Sequence, residues 1–228
     1  MNPEIHAYAL GTPQMSVLLL GTAGVAILHT LAGPDHYLPF IAMGRARRWS
    51  VARTVFWTSL CGLGHVASSV LLAVAGVVFG FGLERVRFIE EFRGNLAAWA
   101  MIAFGLVYLA WGLNKAGRHP QPAHHHVPAG TPEGFRLTPW VLFTIFLFGP
   151  CEPMIPLVMY PAAQGSWTDV WVVVAAFSGL TIGVMVAVVL LGQRGLGLLP
   201  AGRLGRFRHA MAGGTVLLAG CAIQFLGL

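Results

Sequence analysis

The stretch HTLAGPDH, residues 29–36, gathers three ionisable side chains into eight residues of an otherwise apolar region. His29 and His36 contribute imidazoles, and Asp35 contributes a carboxylate. Nitrogen and oxygen donors together suit divalent transition metals such as Ni, Co, Zn or Cu, whereas Mg and Ca prefer oxygen donors alone. The residue types therefore predict a transition-metal site in this stretch.

The proline in this stretch predicts how the backbone behaves around the site. Proline lacks an amide N–H and clashes with the preceding helical turn, so Gly33 and Pro34 should interrupt the helix and free carbonyl groups. Non-helical backbone at membrane depth is tolerated only where it is buried in protein or faces a cavity. We therefore expect a buried polar pocket at this interruption.

A second stretch, GPCEPMIP at 149–156, repeats the outline of GPDHYLP at 33–39. Its three prolines exclude a regular helix through Cys151 and Glu152. This interruption adds a thiol and a second carboxylate to the available donors. We expect the two interruptions to meet, because one shared cation can satisfy buried ionisable groups from both.

His65, in GLGHVASS, is a further candidate ligand, because its small neighbours allow another helix to approach. Two simpler explanations stay open. A histidine inside a span can make a helix-to-helix hydrogen bond, and Cys151 can be a packing residue. The predicted metal site comprises His29, Asp35, His36, His65, Cys151 and Glu152.

The elements that hold these candidates are expected to cross a membrane. Of the 228 residues, 56% are hydrophobic and only 10% are charged, which is far from soluble averages. A helix spans about 30 Å of hydrocarbon with roughly 20 residues, and six apolar stretches reach that length: 14–34, 54–81, 95–114, 138–160, 169–192 and 209–227. A lipid bilayer is therefore the expected partner, and nucleic acid is excluded despite a formal net charge of +6.

The polar, His- and Pro-rich segment 115–136 divides the chain into 1–114 and 137–228, with three predicted spans in each part. An odd number of spans requires any repeat to be inverted across the membrane, as in many transporters. We expect an all-α membrane protein of six transmembrane helices in two inverted three-helix halves, with helices one and four broken at the Gly-Pro motifs. Histidines in the dividing segment could bind metal weakly or be incidental to a solvated linker.

Glycine spacing predicts where helices pack closely. Gly76 and Gly80 in the second span, and Gly179 and Gly183 in the fifth, form pairs of small residues four positions apart. Such pairs favour close helix contact in membranes.

The distribution of Lys and Arg predicts the orientation. The first, third and fifth loops carry eleven of these residues, and the other side carries three. Positively charged loops stay in the cytoplasm. The expected location is a bacterial-type inner membrane, with the 115–136 loop cytoplasmic and both termini outside.

At the first interruption the chain resembles a known family. HTLAGPDHYLPFIAMG, residues 29–44, is similar to the first-span signature of nickel/cobalt permeases, and particularly to hydrogenase- and urease-accessory membrane proteins with the pattern His-Pro-Leu-x-Gly-x-Asp-His. Thr30 stands where that pattern has proline. A His-rich cytoplasmic loop also resembles nickel/cobalt efflux proteins. The resemblance implies that His29, Asp35 and His36 bind a transported Ni or Co ion.

We therefore expect a transporter of a divalent transition metal, with Ni or Co favoured and Zn or Cu left open, that has no prosthetic group and is not an enzyme. One alternative is an exporter of a small anion such as sulfite, but no predicted span has Lys or Arg in its interior. The other is a membrane thiol-disulfide electron carrier, but the position that pairs with Cys151 in the first half is Asp35. Direction, energy source and oligomeric state, a homo-oligomer included, are left open.

The Lys and Arg count generates a test of topology. Reporter fusions at residue 125 and at the C-terminus should report opposite compartments, with the first in the cytoplasm, because three predicted spans separate the dividing loop from each terminus. Activity of both fusions in the same compartment would contradict the six-span interpretation.

Overall fold

The computed structural model describes residues 13–117, 138–197 and 203–227, and its regular elements there are all helical. The α-helices are α1 (Pro13–Ala32), α2 (Leu38–Arg47), α3 (Val51–Val78), α4 (Leu83–Gly117), α5 (Thr138–Phe148), α6 (Met154–Ala163), α7 (Trp167–Gly197) and α8 (Arg208–Leu226). Short 3₁₀ turns cover Pro34–His36 and Arg203–Phe207. The histidines predicted to bind metal weakly, at 119 and 124–126, lie outside the described residues.

Five helices in the described part of the chain, α1, α3, α4, α7 and α8, are long and apolar enough to cross a bilayer. They correspond to five of the six predicted spans, and they confirm the all-α class and indicate a multi-pass membrane protein. The remaining predicted span, 138–160, holds α5 and α6, which have 11 and 10 residues. Each is too short to cross the hydrocarbon alone.

The chain leaves the helical conformation between α1 and α2 for local reasons. Gly33 is extended, with φ −85° and ψ 100°, because a residue before proline is disfavoured in the helical region. A Cβ on Gly33 would overlap the His36 ring and would lie 2.7 Å from Asp35 Oδ1. Glycine is therefore what lets the Asp35 and His36 side chains fold back against the end of α1.

A comparable gap separates α5 from α6. Residues 149–153 are not α-helical, and α6 begins at Met154, whose amide donates to the carbonyl of Cys151. Helix α3 packs against α5, α6 and α7, and α1 packs against α7. Both non-helical segments reach α3, because the His36 ring centroid lies 5.1 Å from that of His65 and the Cys151 amide donates to Ser69.

Most of the glycines at which helices pack closely are not members of the predicted pairs. Gly76 does meet α4, because a Cβ there would lie 2.5 Å from Val86 Cγ2. The prediction for Gly179 and Gly183 is wrong, since a Cβ on either would meet no described atom within 4 Å. The tightest approach of one backbone to another joins α4 to α8, where a Cβ at Gly213 would overlap the backbone of Leu109.

This approach predicts unequal effects at two neighbouring glycines. Gly213→Ala should destabilise the solubilised protein by about 1–3 kcal/mol, because the added methyl group forces the two backbones apart. Gly214→Ala is the matched control, since a Cβ there meets nothing within 4 Å. Thermal unfolding followed by tryptophan fluorescence measures both, and equal unfolding temperatures would contradict the close contact between α4 and α8.

Candidate metal centre

Three histidines from separate parts of the chain meet inside the helical bundle. One ring nitrogen from each of His29, His36 and His65 lies within 4.8 Å of the other two. His29 is near the end of α1, His36 is in the following 3₁₀ turn, and His65 is in the middle of α3. The His36 ring meets the other two rings edge to face, with centroids 4.8 Å from His29 and 5.1 Å from His65. We call this group the histidine cluster.

The nitrogens of the histidine cluster are short of partners. His36 Nε2 and both ring nitrogens of His65 are buried and have no hydrogen-bond partner among the described residues. The His65 ring does come near the backbone carbonyl of Phe146 in α5, so the simpler explanation, a helix-to-helix contact, stays open beside its place in the cluster. A buried polar atom without a partner costs about 1–3 kcal/mol, which a bound cation would offset by accepting the nitrogen lone pairs.

The spacing of the histidine cluster is slightly wider than a closed coordination shell. Metal–nitrogen bonds of about 2.0–2.1 Å allow two nitrogens on one ion to be at most about 4.2 Å apart. The largest separation in the cluster is 4.8 Å. Side-chain movements of less than about 1 Å would bring the three nitrogens onto one ion.

Asp35 acts on the histidine cluster through His36. Its Oδ1 lies 3.1 Å from His36 Nδ1, which is also 3.2 Å from the carbonyl oxygen of Gly33. When Nδ1 carries the proton and donates to these oxygens, Nε2 presents a lone pair to the other two imidazoles. A carboxylate in this position orients a metal-binding histidine and raises its basicity. Asp35, predicted as a ligand, therefore has the geometry of a positioning residue.

Cys151 is the member of the second stretch that reaches the histidine cluster. Its side chain is fully buried, and its Sγ lies 3.8 Å from His29 Nε2. Its amide donates to Ser69 Oγ at 3.2 Å, which ties the segment between α5 and α6 to α3. The thiol also packs in an apolar cluster with Val66 and Met154, so its packing role and its contact with His29 coexist.

Glu152 is also a predicted site residue, but its side chain is exposed. The structure therefore does not bring it to the histidine cluster. The buried carboxylate of this region is instead Glu90, which pairs with Arg93 at 2.8 Å. Both residues lie on α4, which begins at Leu83 and therefore extends before the predicted third span, 95–114. The spacing of three between the two charges is the sequence signal for this pair, since residues three apart share one helix face.

Arg93 connects α4 to two other elements that border the site. It donates to the hydroxyl oxygen of Ser68 at 2.7 Å and to the carbonyl oxygen of Leu147 at 2.9 Å. The Ser68 hydroxyl in turn donates to the carbonyl oxygen of His65. One guanidinium therefore holds the end of α5 and the His65 turn of α3 against the same helix.

A small cavity of about 20 Å³ adjoins the site on the α4 side. Asp35, His65, Gly94 and Pro150 are among the residues that line it. This volume is enough for about one water molecule. The side of the histidine cluster that faces α4 can therefore be hydrated.

The helices and this cluster together define a multi-pass membrane protein with a buried imidazole site. Comparison with known protein families, with curated proteins and with solved structures finds no match to this chain. The functional interpretation accordingly rests on the residues and their geometry.

The buried ion pair between Glu90 and Arg93 predicts that removal of Arg93 alone causes a large loss of stability. Arg93→Ala should destabilise the protein by about 3–5 kcal/mol, because it leaves the Glu90 carboxylate charged and unpaired in a dry environment. Arg87→Ala, an exposed charge on the same helix, should change stability by less than about 0.5 kcal/mol.

A double variant, Glu90→Leu with Arg93→Leu, checks the cause. It should lose less stability than Arg93→Ala, since it leaves no unpaired charge. Chemical unfolding in detergent measures all three variants. Similar losses for Arg93→Ala and Arg87→Ala would show that the pair does not stabilise the fold.

Proposed function

We propose that this protein carries a divalent transition-metal ion across a bacterial-type inner membrane, with Ni²⁺ or Co²⁺ as the favoured cargo and Zn²⁺ or Cu²⁺ as further candidates. The observation that carries the proposal is the histidine cluster, in which one ring nitrogen from each of three histidines lies within 4.8 Å of the other two. Imidazole nitrogens suit these borderline metals. The ion is substrate rather than a resident cofactor, and we assign the protein no enzymatic reaction.

Each residue of the site has a distinct role in this proposal. The imidazoles of His29, His36 and His65 supply three nitrogen ligands, and Asp35 orients His36 and balances part of the charge of the cation. Cys151 is the fourth donor, because its sulfur lies next to His29. Metal binding favours the thiolate, so a proton should leave as the ion binds. Glu152, which is exposed, is assigned no bond to the ion.

The proposed topology combines α5 and α6 into one interrupted span. Together with the five long helices this makes six crossings, in two inverted halves of three, 1–114 and 137–228. The Gly-Pro motifs at 33–34 and 149–150 break the first and fourth crossings. The contact between His29 and Cys151 supports the pairing of these breaks, because it joins the two halves beside the cluster. In this topology the 115–136 loop is cytoplasmic and both termini are outside.

Interrupted helices that meet at the ion provide a physical route for transport. A cation at the midplane must exchange its water shell for protein ligands and later recover it. A site that three imidazoles approach but do not close, with room for about one water molecule beside it, suits stepwise exchange. Rocking of one half against the other would then expose the ion to alternate sides.

The two alternative functions have less support from the described residues. A midplane anion would need a cationic partner, but Arg93 is already neutralised by Glu90 at 2.8 Å. A thiol-disulfide carrier would need two facing cysteines, but Cys151 and Cys61 belong to separate buried clusters and Cys221 lies in α8. Cys151 faces an imidazole instead.

The proposal predicts which histidine substitutions abolish metal binding. His29→Ala, His36→Ala and His65→Ala should each weaken Ni²⁺ binding to the purified protein by at least about 100-fold and stop cellular accumulation or extrusion, because each removes a ligand. Asp35→Asn should weaken binding by about 10–100-fold, as expected for a residue that orients a ligand. Isothermal titration and metal-uptake assays measure these effects.

His209→Gln is the matched control, because His209 is also a buried histidine but bonds to Tyr108. It should retain Ni²⁺ affinity within about threefold. Unchanged Ni²⁺ affinity and transport in all three cluster variants, at wild-type levels of folded protein, would refute the metal-transport proposal.

A further inference from the structure

A second polar cavity lies at another place in the bundle, where α1 and α7 begin and α6 ends. Its volume is about 90 Å³, which leaves room for several water molecules, since about 10–15 Å³ already holds one. Asp169, Gln14, Gln164 and Tyr160 are among the residues that line it. None of the described residues that line it is basic.

Asp169 is the unusual member of this cavity. It is only 4% exposed, and its Oδ1 has no hydrogen-bond partner among the described residues. An aspartate in the first turn of a helix often bonds back to the amide of the capping residue. Here the amide of Ser166 donates to the carbonyl oxygen of Pro161 instead. The carboxylate therefore remains available to a ligand in the cavity.

The donors around Asp169 differ in kind from those of the histidine cluster. The cavity offers a carboxylate, two side-chain amides and a phenol, so its ligand atoms are oxygens. Oxygen donors and a net negative charge suit hard or hydrated divalent cations. A buried carboxylate without a cation nearby is costly, which favours occupancy by positive charge.

Apolar side chains separate this cavity from the histidine cluster. Along α7, Val170 and Phe177 follow Asp169 and are fully buried, and Phe177 lies against His29 with ring centroids 6.5 Å apart. Eight residues of helix separate Asp169 from Phe177 by about 12 Å. Ala26 and Val158 fill the intervening core. The two polar sites are therefore distinct.

We propose that the cavity around Asp169 is a second cation site, which binds a divalent cation with much of its water shell retained. Its carboxylate anchors the ion, and the neighbouring amides contact the ion or its waters. This site does not depend on which metal binds the histidine cluster, and it exists even if that cluster has another role.

Mn²⁺ alone is the probe, because it is a divalent cation that accepts oxygen ligands and its free form is counted by electron paramagnetic resonance. The full chain, reconstituted in nanodiscs, should bind Mn²⁺ saturably. Asp169→Asn, which keeps the shape but removes the charge, should weaken this binding at least tenfold. Gln164→Glu should strengthen it about tenfold by adding a carboxylate at the cavity.

His36→Ala serves as the control, because it disables the histidine cluster and should leave Mn²⁺ affinity unchanged. Thermal unfolding followed by tryptophan fluorescence tests the folding of Asp169→Asn, so this control does not depend on metal binding at the histidine cluster. Absence of saturable Mn²⁺ binding in the wild-type protein, or unchanged affinity in folded Asp169→Asn, overturns the proposal. Loss of Mn²⁺ binding in His36→Ala also overturns it, because Mn²⁺ would then occupy the other site.

Discussion

The ion pair between Glu90 and Arg93 is the interaction on which the arrangement of the site depends. The Glu90 carboxylate is buried in the protein and paired with Arg93, which also donates to Ser68 and to the carbonyl oxygen of Leu147. These bonds hold the end of α5 and the central helix α3 against α4. Without them, the end of α5 that leads into the non-helical segment would lose this attachment, and the bond from the Cys151 amide to Ser69 would remain.

A separate constraint, the backbone geometry around Gly33, shapes the histidine cluster. The imidazoles stay close because backbone geometry forces them together: the extended Gly33 turns the chain so that His36 faces His29, and Asp35 holds the His36 ring. His65 is brought in independently on α3. A cluster fixed by backbone and by positioning bonds keeps its shape without an ion, which lowers the reorganisation that binding requires.

Local chemistry in the sequence was enough to predict the first part of this site. Ionisable residues in apolar surroundings and prolines beside glycines indicated His29, His36 and His65 and the non-helical segment around Cys151. Contacts between side chains from different parts of the chain could not be predicted in this way. Identifying Glu90 rather than Glu152 as the buried carboxylate required knowing that α4 begins at Leu83, because this places Glu90 on the same helix as Arg93. No pattern in the sequence singled out Asp169, which is distinguished by its burial and by an Oδ1 that has no partner among the described residues.

The two proposed cation sites have complementary selectivity. Oxygen donors around Asp169 bind divalent cations with little discrimination among them, whereas imidazole and thiol favour transition metals. An ion that passes from the first site to the second must shed water and cross about 12 Å of apolar core along α7. The gain in nitrogen and sulfur coordination must compensate for that dehydration. Mg²⁺ and Ca²⁺ gain little from such ligands, so the histidine cluster, and not the cavity around Asp169, would decide which cation crosses.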